Sequence, residues 1–170
     1  MEAVYAVATR ELCAPYFPKI PNDIILNGLC DEDLWYSSRL RFLQMRIGNL
    51  WEMIATECFG WVKVSGFDLI CPRRKIALEL KNADNTDNSS SRHRNINKLL
   101  EFRKLNPDYQ LFYLCINNRT TKDDQCYCGE NGITFATGEH ARRILYGDYA
   151  QEVVNIIRFV VSKVVKKNDP

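Results

Sequence analysis

Two acidic residues and one lysine lie on two consecutive segments whose residue types predict β-strands. Asp68 lies on the first segment, and Glu79 and Lys81 lie on the second with one residue between them. Because side chains alternate between the two faces of a strand, Glu79 and Lys81 project from the same face. A carboxylate and an ammonium group therefore share one side of an otherwise apolar strand. The alternative is an ordinary solvent-exposed face.

The turn between the two strands predicts that the carboxylates face each other. A hairpin that folds symmetrically about Arg73 and Arg74 places Asp68 opposite Glu79. Directly opposed residues have their Cβ atoms roughly 4.5–5.5 Å apart. Two carboxylates at that distance repel each other unless they share a proton or a cation, and hard oxygen ligands suit Mg²⁺. The sequence therefore predicts a magnesium site at Asp68 and Glu79.

Lys81 and a residue of the preceding helix complete the candidate site. Lys81 is placed to orient or deprotonate a water, or to stabilise the charge that builds on a phosphate. The helix that ends before Gly60 carries Glu52 beside Trp51, at the border of its apolar stripe, and a border position can reach a site at the sheet edge. We predict Glu52 as a further metal ligand and Glu57, the rival position on the same helix, as a solvent-exposed residue.

Apolar periodicity predicts a single mixed α/β domain over residues 1–170. Residues 1–30 are expected to form turns and one short helix. The other predicted elements are a helix that starts between Asp33 and Ser38, strands over 61–64, 67–71 and 75–81, a helix over 92–105, a buried strand over 109–116, a strand over 133–135, a helix from about Thr137 and a helix over 149–166. No internal repeat or linker is visible between them.

A polar segment and a cationic helix start follow the strand that carries Glu79. Ser91 is predicted to cap this helix, whose inner side carries Ile96, Leu99, Leu100 and Leu105. Cationic residues at a helix N-terminus oppose the helix dipole, so their placement favours contacts to phosphates, while amides and arginines can read base edges. The alternative is an ordinary surface loop. The residues predicted to contact a nucleic acid are Asn82, Ser91, Arg92, His93, Arg94, Asn95 and Lys98.

The composition limits the classes of protein that the chain can belong to. The 170 residues are 46% hydrophobic with a net charge of +2, which excludes a largely disordered chain and leaves any basic surface to local clustering. The longest apolar run is far below the ~20 residues of a membrane span, and no secretory signal is recognised, so we expect no membrane partner and a cytoplasmic location. Without a phosphate-binding loop or dinucleotide fingerprint, we expect no nucleotide cofactor.

The seven cysteines are expected to be reduced and free of metal. Their odd number and the absence of a small-scaffold spacing fit thiols in a reducing compartment. Cys126 and Cys128 form a C-x-C pair, which leaves a zinc site as an alternative. No second pair lies at a finger-like spacing, which favours the metal-free prediction.

The arrangement of these residues resembles the PD-(D/E)XK nuclease superfamily and, within it, the type II restriction endonucleases. The matching parts are the helix residues 46–52, the triplet Gly66-Phe67-Asp68 and the E-x-K of Glu79 and Lys81. Phe67 stands where the motif has its proline. The resemblance covers roughly residues 38–116, which it identifies as the catalytic core. It implies a restriction-endonuclease-like domain with a mixed central sheet flanked by helices.

The resemblance also implies an activity. The expected protein is a type II restriction endonuclease that cleaves double-stranded DNA at a short specific sequence, by in-line attack of a Mg²⁺-activated water on a phosphodiester. Asp68, Glu79 and Glu52 would hold the metal, and Lys81 would assist the water and the phosphate. The alternatives are a structure-selective repair nuclease or junction resolvase of the same superfamily, and a non-catalytic DNA-binding module.

One set of such ligands cuts one strand per visit, which predicts a homodimer. Two copies related by a two-fold axis match the pseudo-two-fold symmetry of the duplex and cut both strands. The helix over 149–166 carries more apolar positions than a stripe that faces a single core requires. We expect this helix to contribute to the dimer interface.

Overall fold

The computed structural model of the chain describes residues 1–14, 31–82, 89–117 and 127–166, and for residues 31–41, 89, 165 and 166 it describes the backbone alone. The element order is mixed, as the apolar periodicity predicts. The elements are α1 (Glu2–Leu12), α2 (Asp31–Phe59), β1 (Val62–Lys63), β2 (Leu69–Cys71), β3 (Ile76–Lys81), α3 (Ser89–Leu105), β4 (Gln110–Cys115), β5 (Thr134–Thr137), α4 (Gly138–Tyr146), a 3₁₀ turn (Gly147–Tyr149) and α5 (Ala150–Lys166).

The five strands form one mixed sheet in the order β1-β2-β3-β4-β5. The first three strands are antiparallel neighbours, whereas β3, β4 and β5 run parallel. In the hairpin, Leu69 faces Leu78 and Cys71 faces Ile76. This is the register that a symmetric turn about Arg73 and Arg74 requires. The predicted fold class, a mixed sheet flanked by helices, is confirmed.

Alternation along β3 divides the interior into two apolar clusters. Ile76, Leu78 and Leu80 belong to a larger cluster on one face of the sheet, together with apolar residues of α1, α2, α4 and α5. Ala77 belongs to a smaller cluster on the other face, packed under α3. Glu79 has the same parity as Ala77, so its side chain projects toward the α3 side of the sheet.

Several element boundaries differ from the prediction. Helix α2 begins at Asp31, ahead of the predicted start, and α3 begins at Ser89, so Ser91 lies inside the helix and does not cap it. Leu105 is 85% exposed, and its predicted inward position is wrong. Nine residues are about two and a half helical turns, so Leu105 lies on the side of α3 opposite the buried Ile96.

The broad apolar face of α5 is explained by contacts within one chain. Five of its side chains are buried in the larger cluster: Ala150, Val153, Val154, Ile157 and Val160. Helix α1 packs against α5, and the rings of Tyr5 and Phe159 lie 6.3 Å apart between their centroids. Because α1 covers part of the apolar face of α5, the width of that face does not by itself indicate a dimer interface.

None of the helices in the described part of the chain is long and apolar enough to cross a membrane.

Candidate active site

Glu79 is the one charged residue among the buried side chains of the described residues, with 3% of its surface exposed. A buried carboxylate is costly unless hydrogen bonds and opposite charge compensate it. Its Oε1 atom accepts a hydrogen bond from Lys81 Nζ at 2.5 Å and another from Asn95 Nδ2 at 2.6 Å. Strand β3 thus supplies the acid and the lysine, and α3 supplies an amide.

Asp68 lies just before β2, at the position next to the pair formed by Leu69 and Leu78. Its Oδ2 atom accepts a hydrogen bond from the backbone N–H of Leu80 at 2.7 Å. Burial raises the pKa of Asp68, the hydrogen bond from Leu80 opposes that rise, and the negative charge of Glu52 adds to it. The ionised form of Asp68 is therefore destabilised, because the side chain is partly removed from water and lies near the negative charge of Glu52.

Glu52 lies on the side of α2 that approaches Asp68, since its charge acts on the pKa of that carboxyl group. Its Oε2 atom lies 2.7 Å from Nζ of Lys63 on β1, in an ion pair where the glutamate side chain is 18% exposed. Glu57 points elsewhere and pairs with Arg10 of α1 at 2.5 Å, on the surface. The structure thus separates the two glutamates that the helix pattern offered as rivals.

The lysine on β1 is a site residue that the sequence analysis missed. The hydrogen bond from Lys63 to Glu52 raises the pKa of the lysine, and its positive charge also acts on Asp68. The strand pattern of the sequence does not predict this contact, because the irregular segment 64–68 separates β1 from β2. Only the packing of α2 against the sheet brings Lys63 to Glu52.

The donor chemistry of this cluster fits a hard divalent cation. Asp68, Glu79 and Glu52 offer carboxylate oxygens, which Mg²⁺ prefers. A cation near Asp68 would favour its ionised form and so lower its raised pKa. Lys63 and Lys81 lie against two of these acids. The three carboxylates are not gathered into one ligand group, however, because no group of three or more acidic, histidine or cysteine side chains in metal-binding arrangement occurs in the part of the chain that the structure describes.

Six of the seven predicted nucleic-acid contacts lie along the first turns of α3. His93, Arg94 and Lys98 are exposed, while Ser91 and Arg92 are half-buried. Arg94 Nη2 donates to Ser91 Oγ at 3.3 Å, and the His93 ring lies 4.4 Å from the ring of Tyr127 between centroids. The cationic helix start is therefore a surface of the protein. The polar residues 83–88 lie outside the described residues.

The two predicted amide contacts turn inward in the structure. Asn95 donates to Glu79, as described above. Asn82 Oδ1 accepts from Trp51 Nε1 at 3.2 Å and from Asn117 Nδ2 at 3.3 Å, which ties α2 to the ends of β3 and β4. Asn95 lies one helical turn before the buried Leu99, and this spacing is the sequence signal that could have indicated its inward position.

The cysteines in the described part of the chain are free thiols at positions 13, 58, 71, 115 and 128. Cys128 is buried in the smaller apolar cluster. Cys126, the other member of the C-x-C pair, lies outside the described residues.

Comparison with known families adds an independent finding. A family model described as Eco47II restriction endonuclease matches residues 39–165. The matched range begins within α2, ends within α5 and contains Glu52, Asp68, Glu79 and Lys81. No curated protein matches the chain.

The raised pKa of Asp68 predicts that removing its charge stabilises the cation-free protein. The folded state binds a proton at Asp68 more readily than the unfolded chain does, so the stability falls as the pH rises from the ordinary carboxyl pKa through the raised one. Asp68→Asn keeps an oxygen that can accept from Leu80. We expect a higher thermal unfolding midpoint near neutral pH with a chelator present, and a gain that shrinks as the pH is lowered.

Asp108→Asn is the matched control, because Asp108 is 57% exposed and pairs with Lys75 at 3.1 Å on the surface. It should change the free energy of unfolding by at most about 0.5 kcal/mol. A gain for Asp68→Asn that stays constant from acid to neutral pH would contradict the assigned cause.

Proposed function

The chain belongs to the Eco47II restriction endonuclease family, and we propose that it is a type II restriction endonuclease that cleaves double-stranded DNA at a short specific sequence by Mg²⁺-dependent hydrolysis. The observation that carries this proposal lies at the end of β3, inside the matched range: Asp68 accepts from the backbone of Leu80, and the residues on either side of Leu80, Glu79 and Lys81, pair with each other. These are the residue types that phosphodiester hydrolysis requires: hard oxygen ligands and a nearby ammonium group.

In this proposal, Asp68 and Glu79 hold the cation, and Glu52 offers a further ligand. When bound, a divalent cation supplies a Lewis acid that polarises a phosphate and favours deprotonation of water. Lys81, which lies against Glu79 in the structure, donates to the attacked phosphate or to the attacking water and stabilises the negative charge that develops. Because Glu79 is 3% exposed, the surrounding protein excludes most bulk water and strengthens these charge interactions.

The direct test is digestion of a plasmid of known sequence with Mg²⁺. We expect discrete fragments from the natural protein and rates at least about 100-fold lower for Asp68→Ala, Glu79→Ala and Lys81→Ala, since each removes a group that acts on the reacting phosphate. With Ca²⁺ in place of Mg²⁺, DNA should bind and remain uncut.

The surface pair of Lys75 and Asp108 provides matched controls, because alanine variants there remove the same residue types away from the site. They should cut at the natural rate. Substantial nicking by Glu79→Ala under Mg²⁺ would rule out its assignment as a metal ligand.

Glu52 and Glu57 give a second test within one helix. Glu52→Gln should slow cleavage by at least ~10-fold, which corresponds to about 1.4 kcal/mol of activation free energy, because it removes the negative charge near Asp68. Glu57→Gln removes only a surface ion pair with Arg10 and should leave the rate unchanged. Single-turnover cleavage rates decide between them, and equal effects at both positions would reject the role of Glu52.

The exposed start of α3 is proposed as a DNA contact. Replacing Arg92 and Arg94 by alanine should weaken binding and make the dependence of affinity on salt shallower, by roughly one unit of slope for each phosphate that the variant no longer neutralises. Lys104→Ala is the control, since Lys104 is an exposed cation at the other end of the same helix. If the arginine variants bind DNA with unchanged affinity at low and moderate salt, this segment does not contact DNA.

A homodimer is part of the proposal, because cutting both strands at a symmetric site is simplest with two related active sites. In the plasmid digestion, a dimer converts supercoiled DNA to the linear form in one encounter. A monomer accumulates the nicked circle, and that outcome would favour a repair nuclease of the same superfamily. We also propose a cytoplasmic location, where its cysteines stay reduced.

A further inference from the structure

The amide of Asn95 reaches from α3 across to the buried carboxylate of β3. Its Nδ2 atom lies 2.6 Å from Glu79 Oε1. We infer that Asn95 is a positioning residue that holds the Glu79 carboxylate in the orientation in which it binds a divalent cation. The inference rests on the proposed function, since it assigns a supporting role to a second residue at the same metal site.

The orientation of the amide follows from charge. Glu79 lies 2.5 Å from the ammonium group of Lys81 in an ion pair, and the carboxylate of an ion pair has acceptors only. An amide oxygen turned toward it would repel it, so the NH₂ group must face Glu79. The rotation of α3 is fixed independently by Ile96 and Leu99, both completely buried against the sheet. Packing of the core therefore delivers Asn95 to the carboxylate.

Asn95 and Lys81 share one oxygen atom but differ in charge. Both donate to Oε1 of Glu79, at 2.6 and 2.5 Å. In the proposed reaction, Lys81 turns its ammonium group to the phosphate or the water, and the bond to Glu79 weakens. Asn95 continues to hold Oε1, and because the amide is neutral it does not repel an approaching cation.

Hydrogen-bond partners of metal ligands have measurable effects on metal affinity. Loss of such a partner typically costs about 10–100-fold in affinity or activity. The variant Asn95→Leu has a similar size and no donor, whereas Asn95→Gln keeps the donor on a longer side chain. Asn97→Ala is the matched control, because Asn97 is an exposed amide on the same helix.

The primary measurement is calorimetric binding of Mn²⁺ to the protein without DNA. We expect the dissociation constant to rise by about 10–100-fold in Asn95→Leu, to recover in part in Asn95→Gln and to stay at the natural value in Asn97→Ala. The Mg²⁺ concentration that half-saturates cleavage should rise in the same order. Thermal unfolding of each variant, with chelator, identifies any variant that does not fold. If Asn95→Leu does not fold, the Mn²⁺ affinity of Asn95→Gln is compared with that of the natural protein.

The outcomes separate this inference from the function on which it rests. A natural protein that neither binds Mn²⁺ nor cuts DNA would overturn the proposed function. If the natural protein binds and cuts, and the folded Asn95 variants bind Mn²⁺ with unchanged affinity, the positioning role is overturned alone. A loss of DNA affinity in Ca²⁺ without a change in Mn²⁺ affinity would also overturn it, and would make Asn95 a DNA contact.

Discussion

A buried negative charge on β3 is the constraint to which the neighbouring elements respond. Glu79 is 3% exposed, and a carboxylate in such a place costs several kcal/mol unless donors and opposite charge surround it. The same strand supplies Lys81, and the helix that crosses over to β4 supplies Asn95. The apolar contacts of Ile96 and Leu99 that hold α3 on the sheet thus also place the amide of Asn95 against the carboxylate.

The acids at this end of the sheet come from three elements that the larger apolar cluster holds together. Helix α2 carries Glu52, the start of β2 carries Asp68 and β3 carries Glu79. Each has a partner in the protein: Lys63 for Glu52, the backbone of Leu80 for Asp68, and Lys81 with Asn95 for Glu79. The pKa of Asp68 nevertheless stays raised. Such a cost is typical of functional sites, where stability is lower than the fold alone would allow.

Helix α3 presents one side to solvent and another side to the buried Glu79. Its first turns present His93, Arg94 and Lys98 to solvent, while Asn95 points to Glu79. One helix thus carries both exposed cations and the amide that contacts the buried acid. The family match includes the whole of α3.

The sequence by itself determined the features that depend on local periodicity. Alternation and the symmetric turn predicted the hairpin register that pairs Leu69 with Leu78, and the helical period separated Glu52 from Glu57. Contacts between distant elements were decided by the tertiary structure, including the inward turn of Asn82 and Asn95, the ion pair of Lys63, and the cover that α1 gives to α5. Periodicity fixes which face of an element a side chain occupies, whereas its partner depends on how whole elements pack, which is a property of the assembled core.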